Sequence, residues 1–298
     1  MCGIVGLFLK DKSLEPQLGA MLSEMLVSLS DRGPDSAGIA IYGAPSNDRG
    51  KITIQSPSPK ADFAGLEKAL GESIGSPVKM AVKSTHAVIE VPATKLMEAR
   101  DAILELRPDV RVMGMGDTIE IYKEVGLPEK VAERFGLAGM SGTHGIGHTR
   151  MATESAVTTL GAHPFSTGSD QCLVHNGSLS NHNNVRRELK REGMKFETEN
   201  DTEVAAAYIS SKMAHGLNLG EALEHSLDDL DGFFTFVVGT KSGFGVVRDP
   251  IACKPAVLAE TDQYVAFGSE YRALANLPGI EQAKVWEPEP STVYFWEH

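Results

Sequence analysis

Apolar residues recur along the chain with two periods, one typical of helices and one typical of strands. In segment 17–29, leucines and methionines at i, i+3, i+4, i+7 and i+8 predict an amphipathic helix. Further helices are predicted over residues 61–70, 94–106, 128–135, 201–213 and 219–230. Strands are predicted over residues 2–9, 39–43, 51–55, 78–91, 110–113, 119–125, 233–238, 244–247, 255–259 and 264–268, within 142–180, and at the edge of a sheet in the C-terminal tail.

The pattern changes between about residues 60 and 137. A helix, one long alternating strand over 78–91, a helix, two strands and a helix follow one another there. This order predicts a small α+β unit inserted into the chain. Strand 51–55, which precedes the unit, is expected to form a hairpin with strand 39–43. The pattern names no ligand, so docking, structural elaboration and effector binding all remain open as roles of the insertion.

Composition excludes several classes of function. Acidic residues outnumber basic ones by 40 to 28, which gives a formal net charge of −12. Nucleic acids and anionic membrane surfaces attract clustered Lys and Arg, so this balance argues against both partners. No apolar run reaches the roughly 18 residues that a membrane span requires. The sequence therefore predicts a soluble globular protein.

The cysteines indicate the compartment of the protein. Cys2, Cys172 and Cys253 are far apart and form no CxxC pair, so neither a disulfide framework nor a four-cysteine zinc site is indicated. The first nine residues lack the basic region and cleavage site of a signal peptide. We therefore expect a cytoplasmic protein in which Cys172 and Cys253 are core residues.

Cys2 is a candidate nucleophile because of its position. Removal of Met1 would expose a residue that carries a thiol and a free α-amino group. The ordinary pKa is about 7.7–8.0 for such an amine and about 8.5 for a thiol, so the amine can accept the thiol proton near neutral pH. One residue then supplies both nucleophile and base.

Polar clusters lie beside apolar strands, where a hydrophobic core alone does not require them. They are DRGPDSAG (31–38), GHTRMATES (147–155), AHPF (162–165), LVHNGSLSNH (173–182) and NDTE (200–203). With the opening MCGIVG and the later motifs DGFF (231–234), RDPIACKP (248–255) and GSEYRAL (268–274), this ordered set resembles the class II glutamine amidotransferase domain of the N-terminal nucleophile hydrolases. The resemblance covers residues 2–298 except the insertion at about 60–137.

The resemblance implies a fold and a reaction. The implied fold is α+β, a four-layer αββα sandwich of two antiparallel sheets between helices, with the small α+β insertion. The implied reaction is hydrolysis of L-glutamine to L-glutamate and ammonia through a thioester on the N-terminal cysteine. Neither a cofactor nor a metal ion is expected.

The resemblance also implies a set of site residues. Cys2 is the expected nucleophile, and the Asn176 side chain and the Gly177 N–H are expected to form the oxyanion hole. The expected substrate-binding residues are Arg150 and Thr153 for the α-carboxylate, Asp201 for the α-ammonium, Arg32 in a loop that closes over glutamine, and His163 beside the pocket.

Other functions remain open at this point. His144 and His148 have the i, i+4 spacing of metal ligands, but Gly145 and Gly147 favour a strand or loop over a zinc-binding helix. An amidohydrolase acting on another amide is a second alternative, against which the two groups predicted to bind a free amino acid argue. A non-catalytic glutamine-sensing or scaffold subunit is a third, and it would follow if Met1 were retained.

The chain ends soon after GSEYRAL, without a synthase or sugar-binding domain. Free ammonia in neutral water takes up a proton and is lost as a nucleophile. We therefore expect a glutaminase subunit that docks on a partner enzyme. In layout it resembles the separate amidotransferase subunit of glutamate-synthase-like systems, including N-methylglutamate synthase, whose acceptor subunit would be flavin-dependent.

Overall fold

The computed structural model of the chain describes residues 2–44, 46, 48–152 and 156–298. Its strands in the first half are β1 (Gly3–Leu9), β2 (Ser36–Tyr42), β3 (Arg49–Gln55), β4 (Lys79–Lys83), β5 (His86–Pro92), β6 (Arg111–Gly116), β7 (Ile119–Val125) and β8 (His144–Arg150). Those in the second half are β9 (Phe165–Gly168), β10 (Gln171–Leu179), β11 (Gly232–Gly239), β12 (Gly243–Arg248), β13 (Val257–Glu260), β14 (Tyr264–Gly268), β15 (Lys284–Trp286) and β16 (Val293–Glu297). The helices are α1 (Leu18–Ser28), α2 (Pro59–Asp62), α3 (Leu66–Ile74), α4 (Leu96–Leu106), α5 (Pro128–Phe135), α6 (His182–Arg191), α7 (Asp201–Ala214) and α8 (Leu219–Asp229).

Two antiparallel sheets form the body of the protein. The larger has the strand order β15-β13-β14-β1-β8-β2-β7, and the second has the order β16-β12-β11-β10-β9. Their facing sides share one hydrophobic cluster, to which β1 contributes Ile4 and Phe8 and β12 contributes Phe244 and Val246. The two sheets therefore pack face to face, as sandwich cores do.

Each sheet is covered by helices on its outer side. Strand β1 alternates, so that Val5 and Leu7 point away from Ile4 and pack with Leu22 and Met25 of α1. Helix α5 packs in the same layer. Helices α6, α7 and α8 cover the outer side of the second sheet. The predicted four-layer αββα sandwich of α+β class is thus confirmed.

A third sheet, with the order β4-β5-β3-β6, lies between Arg49 and Gly116. It has its own core, in which helices α3 and α4 pack against β3 and β5. This unit overlaps the first part of the segment 60–137 that the sequence singles out. In the second part, β7 joins the seven-stranded sheet and α5 packs on α1.

Three local predictions are wrong. Strand β3 does not pair with β2; it pairs with β5 and β6, while β2 lies between β7 and β8. The expected long strand over 78–91 is a hairpin, β4 and β5, which turns at Ser84 with a φ of +57°. Cys253 is exposed, whereas Cys172 is buried as predicted. Alternation alone could not show the hairpin, because a tight turn that keeps the period looks like one continuous strand.

Candidate active site

Cys2 lies at the point where several strands of the seven-stranded sheet end. The next residue, Gly3, begins β1 and lies opposite Thr149, one residue before the end of β8. Arg150, at that end, lies opposite Ser36 at the start of β2. A Cβ on Gly3 would come within 2.7 Å of the Thr149 Oγ1, so a residue without a side chain lets Cys2 approach β8. Cys2 is partly exposed and its thiol is free.

Two side chains bind the backbone carbonyl of Cys2. Arg32 donates to it from Nε at 3.0 Å, and Asn176 on β10 donates from Nδ2 at 3.4 Å. Asn176 belongs to the second sheet, so this contact joins the two sheets at Cys2. Both side chains are buried. The structure therefore brings three sequence-predicted residues together.

The loop that carries Arg32 is anchored by a chain of charges. The Arg32 guanidinium also contacts the Glu270 carboxylate. Glu270 binds Arg272 at 2.7 Å, and Arg272 forms two hydrogen bonds with Asp31 at 2.5 and 3.0 Å. Arg32 thus holds Cys2, a role that the motif GSEYRAL could have indicated, because Glu270 lies within it. Its predicted place in a loop that closes over glutamine stays a prediction.

Gly177 follows Asn176 and sits where no other residue fits. Its φ is +152°, and a Cβ there would lie 1.9 Å from the Phe233 carbonyl oxygen and 2.7 Å from the Phe234 Cα. Asn176 and Gly177 lie opposite Thr235 and Phe234 of β11. The glycine of the motif HNG therefore allows β10 to lie very close to β11.

Replacement of Gly177 with alanine is expected to abolish activity and to lower the free energy of unfolding by more than about 3 kcal/mol. The added methyl group meets backbone atoms that cannot move without distorting β11. Gly126 is the matched control, since its φ is +130° and a Cβ added there would have no other atom within 4 Å. Thermal unfolding and an activity assay of both alanine variants check this, and an active Gly177→Ala protein would contradict it.

Asp201 begins helix α7 and points back to strand β10. Its Oδ2 accepts a hydrogen bond from the Leu179 N–H at 2.9 Å, and its Oδ1 lies 3.7 Å from the His175 Nδ1. Burial by itself raises the pKa of this carboxyl group, but the His175 ring and the Leu179 amide favour the charged form more strongly, and the pKa lies at about 2. Asp201 is thus a carboxylate throughout the physiological range.

The other predicted substrate-binding residues lie around the same strand ends. Arg150 is buried at the end of β8, and its carbonyl accepts from the Asp35 N–H at 3.1 Å. His163 is buried, with its Nδ1 on the His175 N–H at 3.4 Å and its Nε2 on the Thr202 hydroxyl at 3.3 Å. Thr153 lies outside the described residues, so its predicted contact with the carboxylate stays a prediction.

Two buried polar residues beside the site support neighbouring backbone in a way that was not predicted from the sequence. Lys123 is buried on β7, and its ammonium donates to the carbonyls of Leu160, Ala162 and Pro164 at 3.3, 2.8 and 3.1 Å. Burial lowers the pKa of Lys123 to about 8. His148 on β8 donates from Nε2 to the His175 carbonyl at 3.1 Å. The sequence did contain a signal for Lys123, because this lysine occupies an apolar position in the alternation of β7.

Within the described ranges, no group of three or more His, Cys, Asp or Glu side chains is arranged to hold a metal ion. His144, which shares the i, i+4 spacing with His148, contacts the Thr240 carbonyl through Nε2 at 2.8 Å and stacks on Tyr42. Over the same described part of the chain, no helix is long and apolar enough to cross a bilayer.

Comparison with solved structures identifies the fold. The chain aligns over 99% of its length with glutamine phosphoribosylpyrophosphate amidotransferase from B. subtilis, with a TM-score of 0.63 and 20% sequence identity. It covers 47% of that chain, so it spans about half of this neighbour's length. The fold is that of the N-terminal nucleophile amidotransferases.

Sequence comparison gives the family. A glutamine amidotransferase domain model matches residues 148–276. The chain is 71% identical over 298 residues to the glutamine amidotransferase-like protein GlxB of Rhizobium meliloti, covering all of this chain and 99% of that protein. It is 35% identical to a putative glutamine amidotransferase of Methanothermobacter thermautotrophicus over 99% of both chains. The chain therefore belongs to the class II glutamine amidotransferase family, and the resemblance deduced from its motifs is confirmed.

Proposed function

We propose that this protein hydrolyses L-glutamine to L-glutamate and ammonia, with Cys2 as the nucleophile. The observation that carries the proposal is the contact of the Cys2 carbonyl with the Asn176 side-chain amide at 3.4 Å. This contact supports the proposal because it brings Cys2 beside a neutral hydrogen-bond donor whose next residue in the chain is Gly177. Acyl transfer by a thiol requires donors for an oxyanion near the nucleophilic residue.

The proposed reaction begins with loss of Met1, which frees the α-amino group of Cys2. The amine accepts the thiol proton, and the thiolate sulfur attacks the side-chain amide carbon of glutamine. A tetrahedral intermediate forms, and its oxyanion accepts hydrogen bonds from the Asn176 side chain and the Gly177 N–H. The C–N bond then breaks and ammonia leaves with the proton that the amine held. Water attacks the remaining thioester, which releases glutamate and restores the thiol.

Selection of free glutamine is assigned to two opposite charges. The Asp201 carboxylate would accept hydrogen bonds from the α-ammonium group, since its low pKa keeps it ionised. The guanidinium of Arg150 would bind the α-carboxylate with two parallel hydrogen bonds. Thr153 belongs to the same proposed substrate-binding set, and His163 is assigned a place beside the pocket. A peptide-bound glutamine lacks one or both charged groups and would bind poorly.

The ammonia is proposed to pass to a partner synthase subunit of glutamate-synthase-like or N-methylglutamate-synthase-like type, which would carry the flavin. Support comes from the chemistry of the product, since ammonia that escapes into neutral water becomes ammonium and no longer attacks an acceptor. The cytoplasmic location inferred from the cysteines belongs to the same proposal. A non-catalytic glutamine sensor is the alternative, and it requires that Met1 be retained.

Substrate specificity tests the proposal. The purified protein should release ammonia from L-glutamine at a rate that exceeds those for L-asparagine, N-acetyl-L-glutamine and L-glutamine amide by roughly 10²-fold or more, because each analogue misplaces the scissile carbon or lacks one bound charge. Glutamate and ammonia are quantified in equal amounts by coupled assays. Equal rates with N-acetyl-L-glutamine would overturn the assignment of free glutamine and favour an amidohydrolase acting on another amide.

A further inference from the structure

Strand β10 loses one of its neighbours just before the proposed oxyanion hole. On one side, β10 pairs with β11 from Cys172 to Leu179. On the other side, its pairing with β9 ends at the pair Leu173–Phe165. Strand β9 begins at Phe165, so its pairing with β10 reaches no further than this residue. Within the described part of the chain, no strand therefore pairs with His175, two residues beyond the last pair, on that edge.

Two imidazole rings bind the backbone of His175 in place of a strand. Its N–H donates to the His163 Nδ1 at 3.4 Å, and its carbonyl accepts from the His148 Nε2 at 3.1 Å. The N–H and C=O of one strand residue point to the same edge, which here is the edge that β9 has left. The two rings stack on each other with centroids 4.0 Å apart. They come from different places, His148 from the seven-stranded sheet and His163 from the segment after Gly161.

The polarity of the backbone fixes the protonation of both rings. A backbone N–H can only donate, so Nδ1 of His163 carries no proton and its Nε2–H donates to the Thr202 hydroxyl. A carbonyl can only accept, so His148 carries its proton on Nε2. Burial lowers the pKa of His148 to about 3, and burial together with nearby positive groups holds the pKa of His163 well below its usual value. Both rings are therefore neutral.

The His163 ring is itself held in place from the other side. The Lys123 ammonium binds the carbonyls of Ala162 and Pro164, which flank His163 in the chain. Gly38 on β2 lets this segment lie close to the strand, because a Cβ at Gly38 would lie 2.0 Å from the His163 carbonyl oxygen. The position of the ring is thus fixed by β2 and β7 as well as by its own hydrogen bonds.

We propose that His148 and His163 are positioning residues that complete the open edge of β10 at His175 and thereby aim the adjacent Asn176 and Gly177 at the oxyanion. The inference rests on the proposed glutamine hydrolysis and assigns His163 a role through the backbone, in place of contact with glutamine. It predicts that loss of either ring lowers kcat and leaves KM nearly unchanged, because oxyanion donors act in the transition state.

The test compares His163→Leu with His163→Asn. The side-chain oxygen of asparagine can replace Nδ1 as the acceptor for the His175 N–H, whereas leucine has no acceptor. We expect kcat to fall roughly 10²-fold in His163→Leu and to recover most of that loss in His163→Asn. The matched control is His144→Leu. His144 is also a buried histidine with a ring nitrogen on a backbone carbonyl, but it lies at the start of β8 and its partner is Thr240. This substitution should lower the melting temperature without lowering kcat.

A double-mutant cycle with Asn176→Ala decides whether His163 acts through the oxyanion hole. In the Asn176→Ala background, the further loss caused by His163→Leu should shrink to less than threefold. A full additional loss, or a rise in KM with unchanged kcat, would overturn the positioning role. If His163→Leu does not fold, His148→Met and His148→Gln provide the same comparison at the carbonyl. Retention of activity in Asn176→Ala alone would instead contradict the proposed mechanism itself.

Discussion

Replacement of Cys2 with alanine is expected to lower glutamine hydrolysis on the order of 10⁴-fold or more while the protein stays folded. The substitution removes the only atom assigned to attack the amide carbon, and no thioester can form. The fold should persist because Cys2 is partly exposed and the contacts at this residue use its backbone carbonyl, which alanine keeps. Initial rates of glutamate formation and a thermal melting curve measure the two effects separately.

Cys253→Ala is the control for this substitution. Cys253 is also a free cysteine, it is exposed, and no role in the reaction is assigned to it. Its replacement should change the rate by less than twofold. Equal activity of the Cys2→Ala and wild-type proteins would contradict the assignment of the nucleophile. Loss of activity in both cysteine variants would indicate damage that is not specific to Cys2.

Replacement of Asp201 with asparagine is expected to lower kcat/KM for glutamine roughly 10²- to 10³-fold, mainly through KM. The isosteric change removes the charge that is proposed to face the α-ammonium group and would leave that cation bound without its counter-ion, which costs about 3–4 kcal/mol. Asparagine keeps an oxygen for the Leu179 N–H, so the melting temperature should change little. Asp228→Asn, on the exposed side of α8, is the control and should leave both kinetic constants unchanged.

The pH dependence provides a further check on Asp201. Its pKa is lowered from 3.8 to about 2, so its contribution to folding stability is fully present above pH 3.8 and is lost as the pH falls through about 2. The KM for glutamine should therefore show no Asp201 titration between pH 5 and 8. A wild-type KM that rises as the pH drops below 6, with no such rise in Asp201→Asn, would contradict the charge assigned to this residue.

Much of the fold could be predicted from sequence because both faces of the central strands are buried. Strand β1 alternates between two hydrophobic clusters, and the helical period of α1 faces one of them. Pairing was harder to predict. The partner of β3 is chosen by the separate core of the third sheet, in which Ile52 and Ile54 meet the helices, and no feature next to β3 shows this. Helix α6 was not predicted, since Val185 and Leu189 are its only apolar residues; both are buried, together with Arg186.

The candidate site was predictable where a motif carries an unusual residue. Cys2, Asn176 and Gly177 were identified from MCGIVG and HNG, and the structure places Cys2 against Asn176. The supporting contacts were harder to predict, although the lysine in the apolar alternation of β7 and the glutamate of GSEYRAL were signals for two of the residues that make them. His148, Lys123 and Glu270 act on backbone carbonyls or on other side chains that are distant in sequence. Such contacts depend on which strand ends where, and this is decided only when the two sheets pack.

The central claim is that the thiol of Cys2, as the N-terminal residue, forms a thioester with glutamine. Its most direct test is the mass of the intact protein and of its N-terminal peptide after brief incubation with glutamine and an acid quench. We predict a chain that lacks Met1 and a fraction of Cys2 that carries glutamine less ammonia, with no adduct in Cys2→Ala. A chain that retains Met1 and releases ammonia from glutamine without any adduct on Cys2 would contradict the claim.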